Sequence, residues 1–175
     1  MIKKLCLFLV LLMCASLVTA HGPTRQKVSE KIIIDASPTD VWNAVKNFHN
    51  MSWHPAVMET TGEGGNEPGA TRTLNLGEGA EIHEVLEKHV EEDMKYFYRI
   101  TEVDVKVLPV NNYSSWLIVR AAADGATEVE WKGAFYRGYQ NNNPPPELND
   151  EAAVNAVTGV YKGGLENLKK LCEGK

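Results

Sequence analysis

The sequence predicts an α+β fold: a curved antiparallel sheet wrapped on one long C-terminal helix, with an internal cavity between them. Three observations carry that expectation. Between residues 70 and 135, apolar and polar residues alternate in short runs separated by turn residues, the period of half-buried strands. Residues 149–171 instead carry one apolar stripe at helical spacing: Val154, Val157, Tyr161, Leu165, Leu168 and then Leu171 or Cys172. Finally, two opposite charges, Arg72 and Glu84, fall on the apolar face of a hairpin. A single helix on the concave side of a curved sheet cannot close tightly along its whole length, which leaves room for a ligand.

The first twenty residues read as an export leader rather than as part of the fold. Lys3 and Lys4 precede an apolar stretch at 5–18 that is short for a bilayer span, and Val18-Thr19-Ala20 supplies the short residues of a cleavage site. An uncleaved N-terminal anchor is the alternative. Cleavage would start the chain at His21, give a periplasmic protein and leave no stable membrane insertion. It also removes two of the 18 basic residues and none of the 23 acids, so the net charge goes from −5 to −7. A chain of that size and charge makes one domain, 21–175, and offers neither the basic patch nor the basic helix of a nucleic-acid-binding surface. Cys6 and Cys14 leave with the leader, so Cys172 has no intramolecular partner.

Residues 28–35 end in the β-branched run Ile32-Ile33-Ile34 and read as a strand. Ser37-Pro38-Thr39-Asp40 is a helix start, with a serine cap, proline in the first turn and an early acid. Val41, Trp42, Val45 and Phe48 then share one face of a short helix that the 49–55 segment interrupts. Residues 57–61 form a brief strand before a glycine-rich turn at 62–69. The stretch 70–88 is a hairpin about Gly77-Glu78-Gly79. Folding it symmetrically about Glu78 sets Leu76 opposite Ala80, Leu74 opposite Ile82 and Arg72 opposite Glu84, all on one face. A turn at 91–93 leads to a strand at 94–103, with Met94, Tyr96, Tyr98 and Ile100 on one side.

Asn111-Asn112 is a turn candidate before a strand at 113–122, whose two faces are both apolar and leave its inner side open. Asp124-Gly125 marks the next hairpin, and Val129, Trp131 and Phe135 alternate with charged residues in the strand after it. Residues 140–146 are a polar, proline-rich loop. The final helix, at ~1.5 Å per residue, runs roughly 33 Å, enough to cross a small sheet. Gly159, Gly163 and Gly164 mark either weak helix or a close approach.

Buried charge is costly unless paired, so Arg72 and Glu84 are the first candidate site residues. Arg72 could recognise an anion or carbonyl while Glu84 orients it or moves a proton; a structural salt bridge is the alternative. Trp53-His54-Pro55 could be a lid with an imidazole at the cavity mouth, or a loop that plugs the core with Trp53. Tyr96, Tyr98, Trp131, Phe135 and, from the helix, Tyr161 are candidate ligand-lining residues, or plain core. Metal binding has little support. His83 and His89 fall on the face opposite Glu84, toward solvent, and no cluster has zinc spacing. A copper site at an N-terminal His21 is a remote alternative. No motif calls for a cofactor.

Several motifs resemble the SRPBCC superfamily, which has the START-like or Bet v 1-like helix-grip fold, and its polyketide cyclase-like branch in particular. These are Ala36-Ser37-Pro38-Thr39-Asp40-Val41-Trp42, Trp53-His54-Pro55 and Gly64-Gly65-Asn66-Glu67-Pro68-Gly69-Ala70-Thr71-Arg72. The resemblance spans 28–172. A leader followed by His21-Gly22-Pro23-Thr24 further resembles the MxaD-type periplasmic proteins associated with methanol oxidation. What the resemblance implies is a cavity for a small hydrophobic or amphipathic ligand. For MxaD-type proteins it also implies an accessory role beside methanol dehydrogenase or its cytochrome. Some superfamily members are enzymes, among them plant lachrymatory-factor synthase, where an arginine and a glutamate in the cavity are thought to perform acid–base chemistry. Arg72 and Glu84 hold similar motif positions, so a cyclase- or isomerase-type enzyme is the alternative. A protein-interaction module with its cavity filled by its own aromatics is the third reading.

Overall fold

The structure, a computed structural model, describes residues 22–174. The leader, Cys6, Cys14 and His21 lie outside the described residues. Seven strands and two helices follow one another: β1 (Gln26–Ile34), α1 (Pro38–Val45), β2 (Glu59–Glu63), β3 (Thr71–Asn75), β4 (Glu81–Val90), β5 (Lys95–Val103), β6 (Val110–Ala121), β7 (Thr127–Arg137) and α2 (Asp150–Glu173). The strands form one antiparallel sheet in the order β1-β7-β6-β5-β4-β3-β2. This is a curved sheet closed by a C-terminal helix. Helix α2 packs mainly on β1 and β7, while α1 reaches β6, β7 and α2.

Local chemistry explains the helix ends. Ser37 caps α1, its hydroxyl accepting the Asp40 N–H at 3.2 Å. Asn149 does the same for α2, accepting the Ala152 N–H at 2.8 Å, and Asp150 and Glu151 sit favourably at the positive end of the helix dipole. Gly174, at φ +66°, ends α2 in the left-handed conformation that glycine adopts without penalty. Arg137 ties the proline-rich loop down through the carbonyls of Tyr139 and Asn141 and the Asp150 carboxylate. The apolar stripe of α2 is buried at Val157, Tyr161, Leu165 and Leu168, but it ends on half-buried Cys172 because Leu171 points outward.

Three sequence expectations are corrected and one open question is answered. The brief strand at 57–61 begins and ends two residues later, as β2. Asn111-Asn112 is not a turn. It lies inside β6, where the register against β7 shifts between Asn111 and Ser114 and Asn112 takes φ +46°. Asparagine tolerates positive φ, and a bulge uses that tolerance as readily as a turn does. The real β5–β6 connection is built on Asp104, whose carbonyl accepts from Val107 and Leu108. His89 does not face solvent, because a second register shift between Leu86 and Lys88 turns it inward. Its ring lies 5.3 Å from that of Trp42, and Nε2 meets the Lys46 carbonyl at 3.0 Å. The strand whose inner side was open presents Tyr113, Ser115, Leu117 and Val119 to the core, all buried, while Trp116 stacks on Phe97 outside.

Candidate functional site

The β3–β4 hairpin has the expected register, with Arg72 opposite Glu84 and Leu74 opposite Ile82. Both charged residues are buried, at 2% and 4% exposure. Arg72 Nε donates to Glu84 Oε2 at 2.5 Å, and Nη1 donates to the Phe48 carbonyl at 2.8 Å. The guanidinium carbon also lies 4.1 Å from the Phe48 ring centroid and 5.1 Å from that of Tyr98. Cation–π contact with both rings adds to the ion pair and leaves the guanidinium little free surface. Burial pushes the Glu84 carboxyl above its ordinary range, and Arg72 opposes that shift without cancelling it.

Between sheet and helix lies a cavity of about 70 Å³. Met51, Leu74, Ile82, Ile100, Leu108 and Val160 make much of its wall, and its polar side chains are His54, Glu84, Tyr98, Tyr113 and Trp131. It is smaller than the roughly 150 Å³ that accommodates benzene in an apolar protein cavity. A more open groove of about 410 Å³ lies on the outer face of the sheet, between Phe97, Trp116 and Lys132. That groove touches neither Arg72 nor Glu84, so the smaller internal space is the candidate site.

His54 is locked rather than mobile. Its Nδ1 accepts the Ala56 N–H at 3.2 Å and its Nε2 meets the Val160 carbonyl of α2 at 3.0 Å. Only a neutral ring with its proton on Nε2 satisfies both partners. Burial holds the imidazole below its usual range, opposed by the bond to Val160 and assisted by the charge of Arg72. Of the two readings of Trp53-His54-Pro55, lid or core-plugging loop, the geometry is that of a fixed clasp with Trp53 buried, also held by Asn167 Nδ2 donating to the Trp53 carbonyl at 2.9 Å.

A chain of hydroxyls joins cavity to helix. Trp131 Nε1 lies 3.1 Å from Tyr98 Oη, which lies 3.3 Å from Tyr113 Oη; Tyr113 and Tyr161 are 2.6 Å apart, and Tyr161 and Ser115 2.9 Å. Ser115 Oγ ends the chain on the Lys132 carbonyl at 2.9 Å. A carbonyl can only accept, and each hydroxyl has one proton to give. The direction is thus set throughout: Trp131 to Tyr98 to Tyr113 to Tyr161 to Ser115 to Lys132. Burial raises all three phenols well clear of neutral pH, so they act as neutral groups.

Of the residues singled out in the sequence, His54, Glu84, Tyr98 and Trp131 are on the cavity wall, whereas Arg72, Trp53, Tyr96, Phe135 and Tyr161 are not. Tyr96 packs on Phe48 and Trp42, Phe135 stacks on Tyr113, and Trp53 and Tyr161 flank Trp131 with centroids at 5.3 and 4.6 Å. Tyr113, also on the wall, is hidden in the sequence because both faces of its strand are apolar; the shared parity of Tyr113 and Ser115 is the one signal of it. Among the described residues no group of three or more His, Cys, Asp and Glu side chains is placed to hold a metal ion.

Comparison with known proteins agrees with this architecture. The family described as polyketide cyclase / dehydrase and lipid transport matches residues 25–173. Among solved structures, the protein XoxI from Bacillus cereus is 29% identical, with 83% of this chain and 94% of that chain covered and a TM-score of 0.70. A protein from Nitrosospira multiformis is 27% identical over 84% and 96% of the two chains, with a TM-score of 0.69. Norcoclaurine synthase from Thalictrum flavum shares the fold at 14% identity, covering 85% of this chain and 87% of its own, with a TM-score of 0.64. No curated protein sequence matches.

Proposed function

Because the chain belongs to the polyketide cyclase / dehydrase and lipid transport family, we propose that it is an exported helix-grip protein that binds a small, mainly apolar ligand between sheet and helix. The observation that carries this reading is the cavity of about 70 Å³ with apolar walls and one carboxylate, Glu84, on its surface. Such a space suits a compact molecule held by apolar contact and oriented by few polar groups. Export is supported by the leader-like first twenty residues, and the periplasm is the compartment we propose. An accessory role in methanol oxidation, beside methanol dehydrogenase or its cytochrome, rests on the MxaD-like arrangement of leader, His21-Gly22-Pro23-Thr24 and the downstream motifs.

The small size of the cavity favours a second reading, in which the aromatics complete the core and the protein works only through its surface. An acid–base enzyme would rest on Glu84 alone, since Arg72 is held by an ion pair, a carbonyl and two rings. Native mass spectrometry of protein purified from its host, against a denatured control, tests the ligand reading. A reproducible extra mass lost on denaturation is the expected result. A bare mass, together with capture of the methanol-oxidation proteins in a pull-down, would favour the surface reading.

A further inference from the structure

We infer that the cavity selects a small uncharged molecule with a hydrogen-bond donor, an aliphatic alcohol being the simplest case, and rejects carboxylates. This deepens the ligand-binding reading and rests on it. The polar side chains on the wall set this preference. His54 spends its proton on the Val160 carbonyl and its Nδ1 lone pair on the Ala56 N–H. Trp131 gives its indole proton to Tyr98, Tyr98 gives its own to Tyr113, and Tyr113 gives its own to Tyr161. Every proton of these groups is committed, and what remains are oxygen lone pairs on Tyr98 and Tyr113.

Glu84 points to the same preference. Oε2 is taken by Arg72, whereas Oε1 makes no hydrogen bond among the described residues. A carboxylate oxygen without a donor, on a residue that lines the cavity, is open to one brought by a ligand. Arg72, the natural anchor for an anion, is not on the wall and is enclosed by Glu84, the Phe48 carbonyl and two aromatic rings. A bound carboxylate would therefore meet Glu84 without meeting Arg72, and like charges at close range repel. The Trp53 indole N–H lacks a partner among the described residues, but Trp53 is not on the wall and supplies no donor there. An ammonium ligand would lose its hydration on entry, which favours a neutral hydroxyl over a cation.

The volume limits the ligand to a handful of heavy atoms, which makes two isomers decisive probes. Isobutanol and 2-methoxypropane have the same atoms and nearly the same bulk, but only the alcohol donates. Isobutyrate is the carboxylate counterpart. Each is titrated into the 15N-labelled protein at pH 7 while the Trp131 indole N–H resonance is followed. The expected result is saturable binding of isobutanol, about tenfold or more tighter than the ether, and no saturable shift with isobutyrate. Equal affinity for alcohol and ether would overturn donor selection and leave the apolar-ligand reading standing. Preferred binding of isobutyrate would overturn the inference and return Arg72 to the role of anion receptor. No shift with any of the three would sink both this inference and the ligand-binding reading. Glu84→Gln keeps the shape but adds donor protons, so its alcohol-to-ether preference should fall toward unity. Should that variant not fold, the comparison of the three probes on the unaltered protein still decides.

Discussion

At the Arg72–Glu84 pair, burial and pairing act against each other. Taking both charges out of water is expensive, and the pair holds because each charge finds the other and Arg72 finds a carbonyl and two rings. Arg72→Met should therefore cost about 3–5 kcal/mol, because it strands Glu84, whereas Arg72→Met with Glu84→Leu should recover much of that loss. Urea denaturation of the two variants checks this; equal losses would mean the pair is not energetically coupled. His54 supplies a pH-dependent counterpart. Its folded pKa lies below the ordinary 6.5, so its contribution to stability is full above pH 6.5 and is lost as pH falls through the folded value. Glu84 slopes the other way: its raised pKa gives a contribution that is full below about 4.5 and lost as pH rises through the folded value. Melting curves of the parent protein and His54→Gln between pH 5 and 8 separate the two. The variant should show a smaller decline on acidification, and parallel curves would remove His54 as the cause.

Helix α2 shows how the same residue type can serve opposite ends. A Cβ on Gly164 would lie 2.5 Å from His54 Cδ2 and 2.8 Å from Trp131, whereas one on Gly159 or Gly163 would meet nothing within 4 Å. Gly164 is thus the place where the helix closes on the His54 loop, and the other two are weak helix. Gly164→Ala should destabilise by about 1–3 kcal/mol through overpacking, despite a helix-propensity gain of up to ~1 kcal/mol. Gly159→Ala should stabilise by up to ~1 kcal/mol. Thermal denaturation reads both, and the same sign for the two would contradict the assignment. Spacing alone reports that three glycines weaken this helix; which of them touches something depends on what the chain folds against it. Strands β4 and β6 teach the same lesson. The alternation of β4 was legible whereas both faces of β6 are apolar, but each contains a bulge, and a bulge reverses facing for every residue beyond it. That is why His89 was expected outside and lies inside.

Across the whole molecule, sheet and helix are joined by the hydroxyl chain through Tyr161, which spans from α2 to Ser115 and Tyr113 on β6. Tyr161→Phe keeps the stack on Trp131 but leaves Tyr113 with a proton and no acceptor. It should cost roughly 1–3 kcal/mol in chemical denaturation, and an unchanged midpoint would show that the chain does not couple the two layers. The sequence by itself determined the order of strands and helices, the serine cap of α1 and the register that faces Arg72 with Glu84. These follow from period, turn residues and side chains that act on their near neighbours. Only the tertiary structure decided which aromatics reach the cavity, that Arg72 is enclosed while Glu84 is on the wall, and which way each hydroxyl proton runs. Those outcomes depend on residues far apart in the chain meeting at a few ångströms, where a bulge or a missing Cβ decides the contact.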